Sequence, residues 1–161
     1  MKPDPSPPAS FDASGRAALL DAFRFLKARD RMETEVRAHL HGKGHDAEAI
    51  QSVVKFLIER KLLDDEKTIQ SLIERNSGKR AVGIERLKAE LERLGAPEES
   101  IERYLAEGPN ESDLALKALR AKYKAETSRA KAGRFLYGRG FSEEAVESAL
   151  DAFCGQEAFP D

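Results

Sequence analysis

The chain has 161 residues, of which 40% are hydrophobic and 35% are charged, so it is long enough for one domain or a short array with a buried core. Its net charge of −2 argues against binding nucleic acid through overall charge and leaves local basic patches as the alternative. The single cysteine, Cys154, excludes an intramolecular disulfide and fits a reducing compartment. No segment approaches the ~20 apolar residues of a membrane span, so we expect a cytoplasmic protein without a membrane partner.

The strongest pattern in the sequence is an internal repeat. Three glycines share a leucine four residues before them, a glutamate four residues after, and aliphatic residues six and ten residues after. These columns are Gly44, Gly95, Gly140; Leu40, Leu91, Leu136; Glu48, Glu99, Glu144; Ile50, Ile101, Val146; and Val54, Leu105, Leu150. A period of about 45 to 50 residues is typical of stacked helical units. We therefore predict an all-α fold of three tandem three-helix repeats forming an elongated, curved array.

Residues 1–12 are rich in proline and are expected to form a disordered tail that does not pack. Repeat 1, residues 13–63, begins with a helix whose apolar stripe comprises Leu19, Leu20, Phe23 and Leu26. A second helix runs from Glu33 to His41 and stops at glycine. Asp46 is expected to begin the third helix, because its carboxylate can accept a free backbone N–H.

Repeat 2, residues 64–109, repeats this order: Asp64 and Asp65 open a helix, and Gly95 ends the middle helix. Repeat 3, residues 110–156, has Ser128 and Ser142 at the positions expected to cap its last two helices. The pattern thus predicts nine helices in three triplets and no strand.

Two short motifs resemble ligand sites, but the first fails on geometry and the second lacks required residues. His39, His41 and His45 lie close in sequence, but His39 and His41 point about 200° apart on a helix and the third follows the glycine cap, so we predict no metal site. Gly78-Lys79 resembles the end of a phosphate loop but lacks its earlier glycine and its following Ser or Thr. We therefore expect no cofactor.

Basic residues are the one feature that stands above the background of a surface helix. Residues 117–134 carry seven Lys or Arg against one acid, and residues 75–93 carry six against three. Lys117, Arg120 and Lys124 follow three- and four-residue steps, which predicts that they share one helical face. A solvated helix face is the simpler alternative for any one of these side chains. Together they suit DNA phosphates or an acidic protein surface.

The sequence also resembles the bacterial RecX regulatory proteins over roughly residues 15–155. The resemblance rests on Glu35-Val36 to Leu40, Lys43-Gly44, Ile50, Val54, Leu57, Leu62-Leu63-Asp64-Asp65-Glu66, Gly83 to Leu87, Glu90-Leu91 and Leu94-Gly95. Departures are Met32 at a capping position where the family commonly has Ser, Val36 in place of the usual Leu, and Thr68-Ile69 where Phe-Ala is frequent.

This resemblance implies a protein that is not an enzyme. It implies binding to the RecA filament on single-stranded DNA and inhibition of its recombinase and ATPase activity, with roles in homologous recombination, DNA repair and the SOS response. Charge and spacing, and not the resemblance, select the expected contact residues: Arg75, Lys79, Arg80, Arg86, Lys117, Arg120 and Lys124.

We expect the protein to be a monomer. Two other functions remain open at this point. The first is a helical-repeat protein that binds single-stranded or double-stranded nucleic acid directly through its basic faces, without a recombinase partner. The second is a scaffold whose helices bind other helical proteins.

Overall fold

The computed structural model describes residues 6–155. Over that range the chain forms nine α-helices, one 3₁₀ turn at Gly78–Arg80, and no strand. The helices are α1 (Ala13–Leu26), α2 (Glu33–Gly42), α3 (Ala47–Glu59), α4 (Asp65–Arg75), α5 (Ile84–Arg93), α6 (Glu98–Glu107), α7 (Glu111–Lys122), α8 (Arg129–Gly138) and α9 (Glu143–Cys154). The all-α prediction and the predicted order of helices are confirmed.

Unit 1 is the first compact unit and comprises the described residues up to Thr68 together with Leu94–Ala96. Helices α1, α2 and α3 pack around one apolar core, whose buried members include Leu19, Val36, Leu40, Val53, Val54, Phe56 and Leu57. Asp46 begins α3 as predicted, since its Oδ1 accepts the backbone N–H of Ala49 at 2.8 Å. Thr34 donates its hydroxyl to the backbone oxygen of Leu94 and so ties that short segment to α2.

The start of α2 shows how the unusual residue Met32 is accommodated. Met32 is fully buried and contributes to the packing around it. Glu35 accepts the Met32 backbone N–H at 2.8 Å and the Arg29 guanidinium at 2.7 Å. Burial raises the pKa of Glu35, but these two hydrogen bonds and the positive charges of Arg29 and Arg31 together outweigh it and hold the pKa below its ordinary value. The N-cap residue thus supplies apolar surface, while Glu35 in the first turn accepts the backbone N–H that would otherwise be unpaired.

Unit 2 is the second compact unit and comprises Ile69–Arg93 and the described residues from Pro97 onward. Helices α7, α8 and α9 pack together, and the 3₁₀ turn packs against α7. The buried core members include Ala81, Ala115, Ala118, Leu119, Ala132, Leu136, Val146, Ala149 and Leu150. Ser128 and Ser142 cap α8 and α9 as predicted, accepting Lys131 N at 3.3 Å and Ala145 N at 3.2 Å.

Two backbone segments of unit 2 approach each other so closely that one of them requires glycine. Gly83 donates its N–H to the Arg139 oxygen at 3.0 Å. A Cβ atom at Gly83 would lie 1.9 Å from the Gly140 oxygen, a distance that no side chain could occupy. Glu111 holds the same region by accepting Ile84 N at 2.9 Å and the Ser142 hydroxyl at 2.7 Å. The contact therefore fixes the start of α5 against the α8–α9 turn.

The repeated glycine column is confirmed by backbone conformation. Gly44, Gly95 and Gly140 have φ angles of +86°, +89° and +78°, which are left-handed values that favour glycine after a helix. The leucines four residues earlier in each column are fully buried. These findings support equivalent helix pairs along the chain, whereas the boundaries of three separate repeats stay a prediction.

The structure differs from expectation at two apolar residues of unit 1. Leu20, assigned to the buried stripe of α1, is 50% exposed, because Ala18, Leu19 and Ala22 form the inward face instead. Phe11, assigned to the disordered tail, packs edge-to-face on Phe56 with ring centroids 5.7 Å apart. The tail prediction is therefore wrong at Phe11, and residues 1–5 of that tail lie outside the described residues.

Candidate macromolecule-binding surface

All seven predicted contact residues are exposed, and five of them lie on adjoining elements of unit 2. We call these five the basic cluster: Arg75, Lys79, Arg80, Lys117 and Arg120. Arg75 is the last residue of α4, the two following cations lie in the 3₁₀ turn, and the other two lie on α7. Because the 3₁₀ turn packs on α7, two basic stretches that are well separated in sequence belong to one surface region.

The loop that carries Lys79 and Arg80 is fixed by hydrogen bonds and packing. Asn76 is buried, and its side chain donates to the Val82 oxygen at 3.0 Å and accepts Val82 N at 2.8 Å. Ala81 is fully buried in the α7 core. The two cations are therefore presented from an anchored turn, which reduces the conformational entropy lost when a partner binds.

Lys117 also lies at a cleft of about 290 Å³ within unit 2. Ile73, Tyr104 and Leu114 supply apolar and aromatic lining, and Glu74 and Glu107 supply carboxylates. The cluster therefore adjoins a mixed surface that can contact a protein partner through more than charge.

Arg86 lies outside the basic cluster and makes a structural contact. Its Nη1 donates to the backbone oxygen of Gly138 at 3.2 Å, at the C-terminal end of α8. A cation at that position stabilises the negative end of the helix. This contact uses one guanidinium N–H and leaves the others available to a partner, while it holds the side chain at the end of α8.

The prediction that Lys124 shares a helical face with Lys117 and Arg120 is wrong. Helix α7 ends at Lys122, and Tyr123 has extended backbone angles of φ −127° and ψ 155°. Lys124 then begins a turn in which its oxygen accepts Thr127 N at 3.0 Å. The change from helical to extended backbone removes the periodicity on which the prediction depended.

The excess of positive charge over residues 117–134 is smaller in the structure than in the sequence count. Arg129 pairs with Asp151 at 2.8 Å and with Glu147 at 2.7 Å, both on α9. The hydrogen bond to Asp151 and then that to Glu147 raise the pKa of Arg129. These acids follow the basic stretch in the chain, so a local count along the sequence omits them.

The three histidines occupy different environments. His45 Nε2 lies 2.6 Å from Asp21 Oδ2, the His39 ring stacks on Phe25, and His41 is exposed. The hydrogen bond with His45 lowers the pKa of Asp21. Over residues 6–155, no group of three His, Cys, Asp or Glu side chains could hold a metal ion. Sequence reasoning missed the Asp21 partner, which lies on α1.

None of the helices in the described part of the chain has the length and apolar character needed to cross a membrane.

Comparison with known proteins gives one consistent result. The family profile described as RecX, first three-helix domain, matches residues 18–57. The regulatory protein RecX of Vibrio vulnificus is 33% identical over 135 residues, which cover 80% of this chain and 88% of that protein. The regulatory protein RecX of Geobacillus kaustophilus is 33% identical over 143 residues, which cover 84% of this chain and 53% of that protein. The chain thus spans about half the length of the Geobacillus relative and most of the Vibrio relative.

A solved structure shares the fold. The crystal structure of RecX from Lactobacillus salivarius matches with a TM-score of 0.63 and 18% sequence identity, and the match covers 87% of this chain and 96% of that one.

Proposed function

The chain belongs to the RecX family of regulatory proteins, and we propose that it binds the RecA filament on single-stranded DNA and inhibits its ATPase and recombinase activity. The observation that carries this proposal is the 33% identity to a regulatory protein RecX, over most of both chains. The proposed role is regulatory and non-enzymatic. It places the protein in the control of homologous recombination and DNA repair in the bacterial cytoplasm.

The basic cluster is the proposed centre of contact with the filament. Its cations are exposed and are carried by an anchored turn and a helix, so they can meet acidic groups or phosphates at several points without a deep pocket. Arg86 and Lys124 belong to the proposed set as peripheral members, since one is engaged by Gly138 and the other lies beyond α7.

The test is RecA ATPase on single-stranded DNA, measured against increasing amounts of this protein. We expect hydrolysis to fall at less than stoichiometric amounts of the wild type. Undiminished hydrolysis at a large excess would refute the proposal.

A pair of variants tests the contact surface. The double variant Lys117→Glu, Arg120→Glu should require a higher concentration for the same inhibition. The control Arg16→Glu, Lys55→Glu makes the same change in net charge at exposed residues of α1 and α3 and should inhibit as the wild type does. If both variants inhibited RecA equally weakly, the basic cluster would be rejected as the contact surface. The proposal that the wild-type protein inhibits RecA would still stand.

Direct binding to nucleic acid is a second candidate, favoured by the proximity of the two basic stretches. It predicts DNA affinity without RecA that falls steeply with salt, because phosphate contacts release condensed counterions. The Lys117→Glu, Arg120→Glu variant should bind DNA more weakly than the control. Retention of full affinity by that variant would reject this surface as the DNA site.

A further inference from the structure

A second group of cations lies in unit 1, around a cleft of about 290 Å³ that sequence reasoning did not identify. Arg24, Arg31 and Lys43 line this cleft, together with the carboxylate of Asp21. These cations come from α1, from the α1–α2 connection and from the end of α2, so only the folded chain brings them together.

The same cleft contains a stacked pair of aromatic rings. The rings of Phe25 and His39 lie 4.0 Å apart between centroids and are parallel to within 2°. The Arg31 guanidinium carbon lies 4.1 Å from the centre of the Phe25 ring. The guanidinium and the His39 ring therefore lie on opposite faces of Phe25, and the half-buried His39 ring keeps its outer face at the cleft. A histidine ring is one of the side chains that stack on unpaired nucleobases.

The cations of the cleft keep donors that the protein does not use. Arg24 is 70% exposed at its side chain and makes only a 3.8 Å ion pair with Asp21. Arg31 lies 3.6 Å from Glu35, whose oxygens already accept closer hydrogen bonds from Arg29 and Met32 N, and Arg31 Nε is buried with no hydrogen-bond partner. A buried donor without a partner destabilises the folded chain.

The single carboxylate of the cleft is largely engaged. Asp21 Oδ2 lies 2.6 Å from His45 Nε2, and this contact directs one oxygen towards the α2–α3 loop. Because Arg31 is paired with Glu35, Arg24 and Lys43 are left facing one occupied carboxylate, and the cleft favours an anion.

We propose that this cleft binds single-stranded nucleic acid, with a backbone phosphate held by Arg24 and Lys43 and an adjacent base stacked on the outer face of the His39 ring. A carboxylate of an acidic protein would use the cations and leave the His39 ring without a role, whereas a nucleotide uses both. The inference goes beyond the proposed function and its second candidate, because it assigns a separate site in unit 1, apart from the basic cluster of unit 2.

The first experiment measures binding of a fluorescently labelled oligothymidylate to the full chain, without RecA and without phosphate buffer. The variant Arg24→Ala, Lys43→Ala should bind about tenfold more weakly, and loss of two phosphate contacts should reduce the salt slope by about 1.4. The matched control Arg16→Ala, Lys55→Ala removes two exposed cations of unit 1 that do not line the cleft. Equal affinity and slope for the two variants would overturn the proposal.

The same comparison in the Lys117→Glu, Arg120→Glu background separates this cleft from the basic cluster. The loss caused by Arg24→Ala, Lys43→Ala should persist there, because the two sets of cations belong to different units. If Arg24→Ala, Lys43→Ala no longer weakened oligothymidylate binding in that background, the binding would belong to the basic cluster, and the proposal would be overturned.

A second experiment locates the ligand through the three histidine side chains, which are resolved by nuclear magnetic resonance. Oligothymidylate should shift the ring signals of His39 and leave those of His41, an exposed residue outside the cleft, in place. Unmoved His39 signals at saturation would overturn the proposal. Inorganic phosphate alone should have little effect at the same phosphate concentration, and an equal shift would identify a free-phosphate site instead.

Discussion

The pair α2–α3 in unit 1 and the pair α8–α9 in unit 2 share the leucine, glycine and aliphatic columns of the repeat, yet their surroundings differ in side-chain size. Three of the twelve buried residues in the core of unit 1 are alanines, against five of eleven in unit 2. Unit 1 fills its core with larger side chains such as Phe56 and Leu57. Unit 2 instead brings backbones together at Gly83 and holds them with Glu111. The same repeated pattern therefore tolerates two ways of fixing its helices.

The largest expected effect is that of Gly83→Ala in unit 2. The new Cβ would lie 1.9 Å from a backbone oxygen, so the close approach cannot survive without moving the backbone. We expect a loss of about 4 kcal/mol or more in the free energy of unfolding, measured by chemical denaturation.

Gly42→Ala is the control for this variant, because a Cβ there would meet no atom within 4 Å and the residue closes a helix. It should leave stability unchanged or raise it by up to about 1 kcal/mol. A mild effect of Gly83→Ala would show that the contact between the two backbones can relax.

In unit 1 the corresponding test is Leu40→Ala, which removes a fully buried side chain from the core. Truncation should lower the free energy of unfolding by about 2–5 kcal/mol, through lost burial and the cavity left behind. Leu20→Ala is the control, because Leu20 is 50% exposed, and it should change stability by no more than about 0.5 kcal/mol. A large loss of stability in Leu20→Ala would show that Leu20 does contribute to the buried stripe of α1.

A smaller effect is expected from Glu111→Ala in unit 2, which removes the acceptor for Ile84 N and for the Ser142 hydroxyl. Leaving these donors unpaired should cost about 1–2 kcal/mol in thermal or chemical denaturation. Asp113→Ala removes an exposed acid from the same turn of α7 and should cost less. Equal losses would mean that Glu111 acts only through the helix dipole.

The smallest effect concerns pH and the Asp21–His45 pair of unit 1. The pKa of Asp21 in the folded chain lies below its ordinary value, so ionised Asp21 contributes stability that is fully present above that ordinary value and is lost as the pH falls through the folded pKa. The stability difference between wild type and Asp21→Asn should therefore be present at neutral pH and vanish in acid, as followed by urea unfolding across pH.

His45→Ala should remove most of this increment, because the hydrogen bond with His45 is the main cause of the lowered pKa and alanine offers no donor. His41→Ala alters an exposed histidine and should leave the increment in place. A difference between wild type and Asp21→Asn that persists in acid would contradict this account.

Local signals in the sequence identified much of the fold. Asp46, Ser128 and Ser142 cap their helices as predicted, because capping depends on a side chain and a backbone group three residues apart. The candidate surface was predicted less completely. The cations of the basic cluster were named, but the helical face assigned to Lys124 was wrong because Tyr123 is extended.

By itself the sequence determined the all-α class, the order of nine helices within the described residues, and the family to which the chain belongs. These properties follow from periodicity, capping and turns, which act over a few residues. Only the tertiary structure decided that Lys79 lies on an element packed against α7, that Gly83 admits no side chain, and that Arg24 and Lys43 line one cleft. Each of these contacts joins residues far apart in the chain, so it depends on packing, for which local spacing carries no signal.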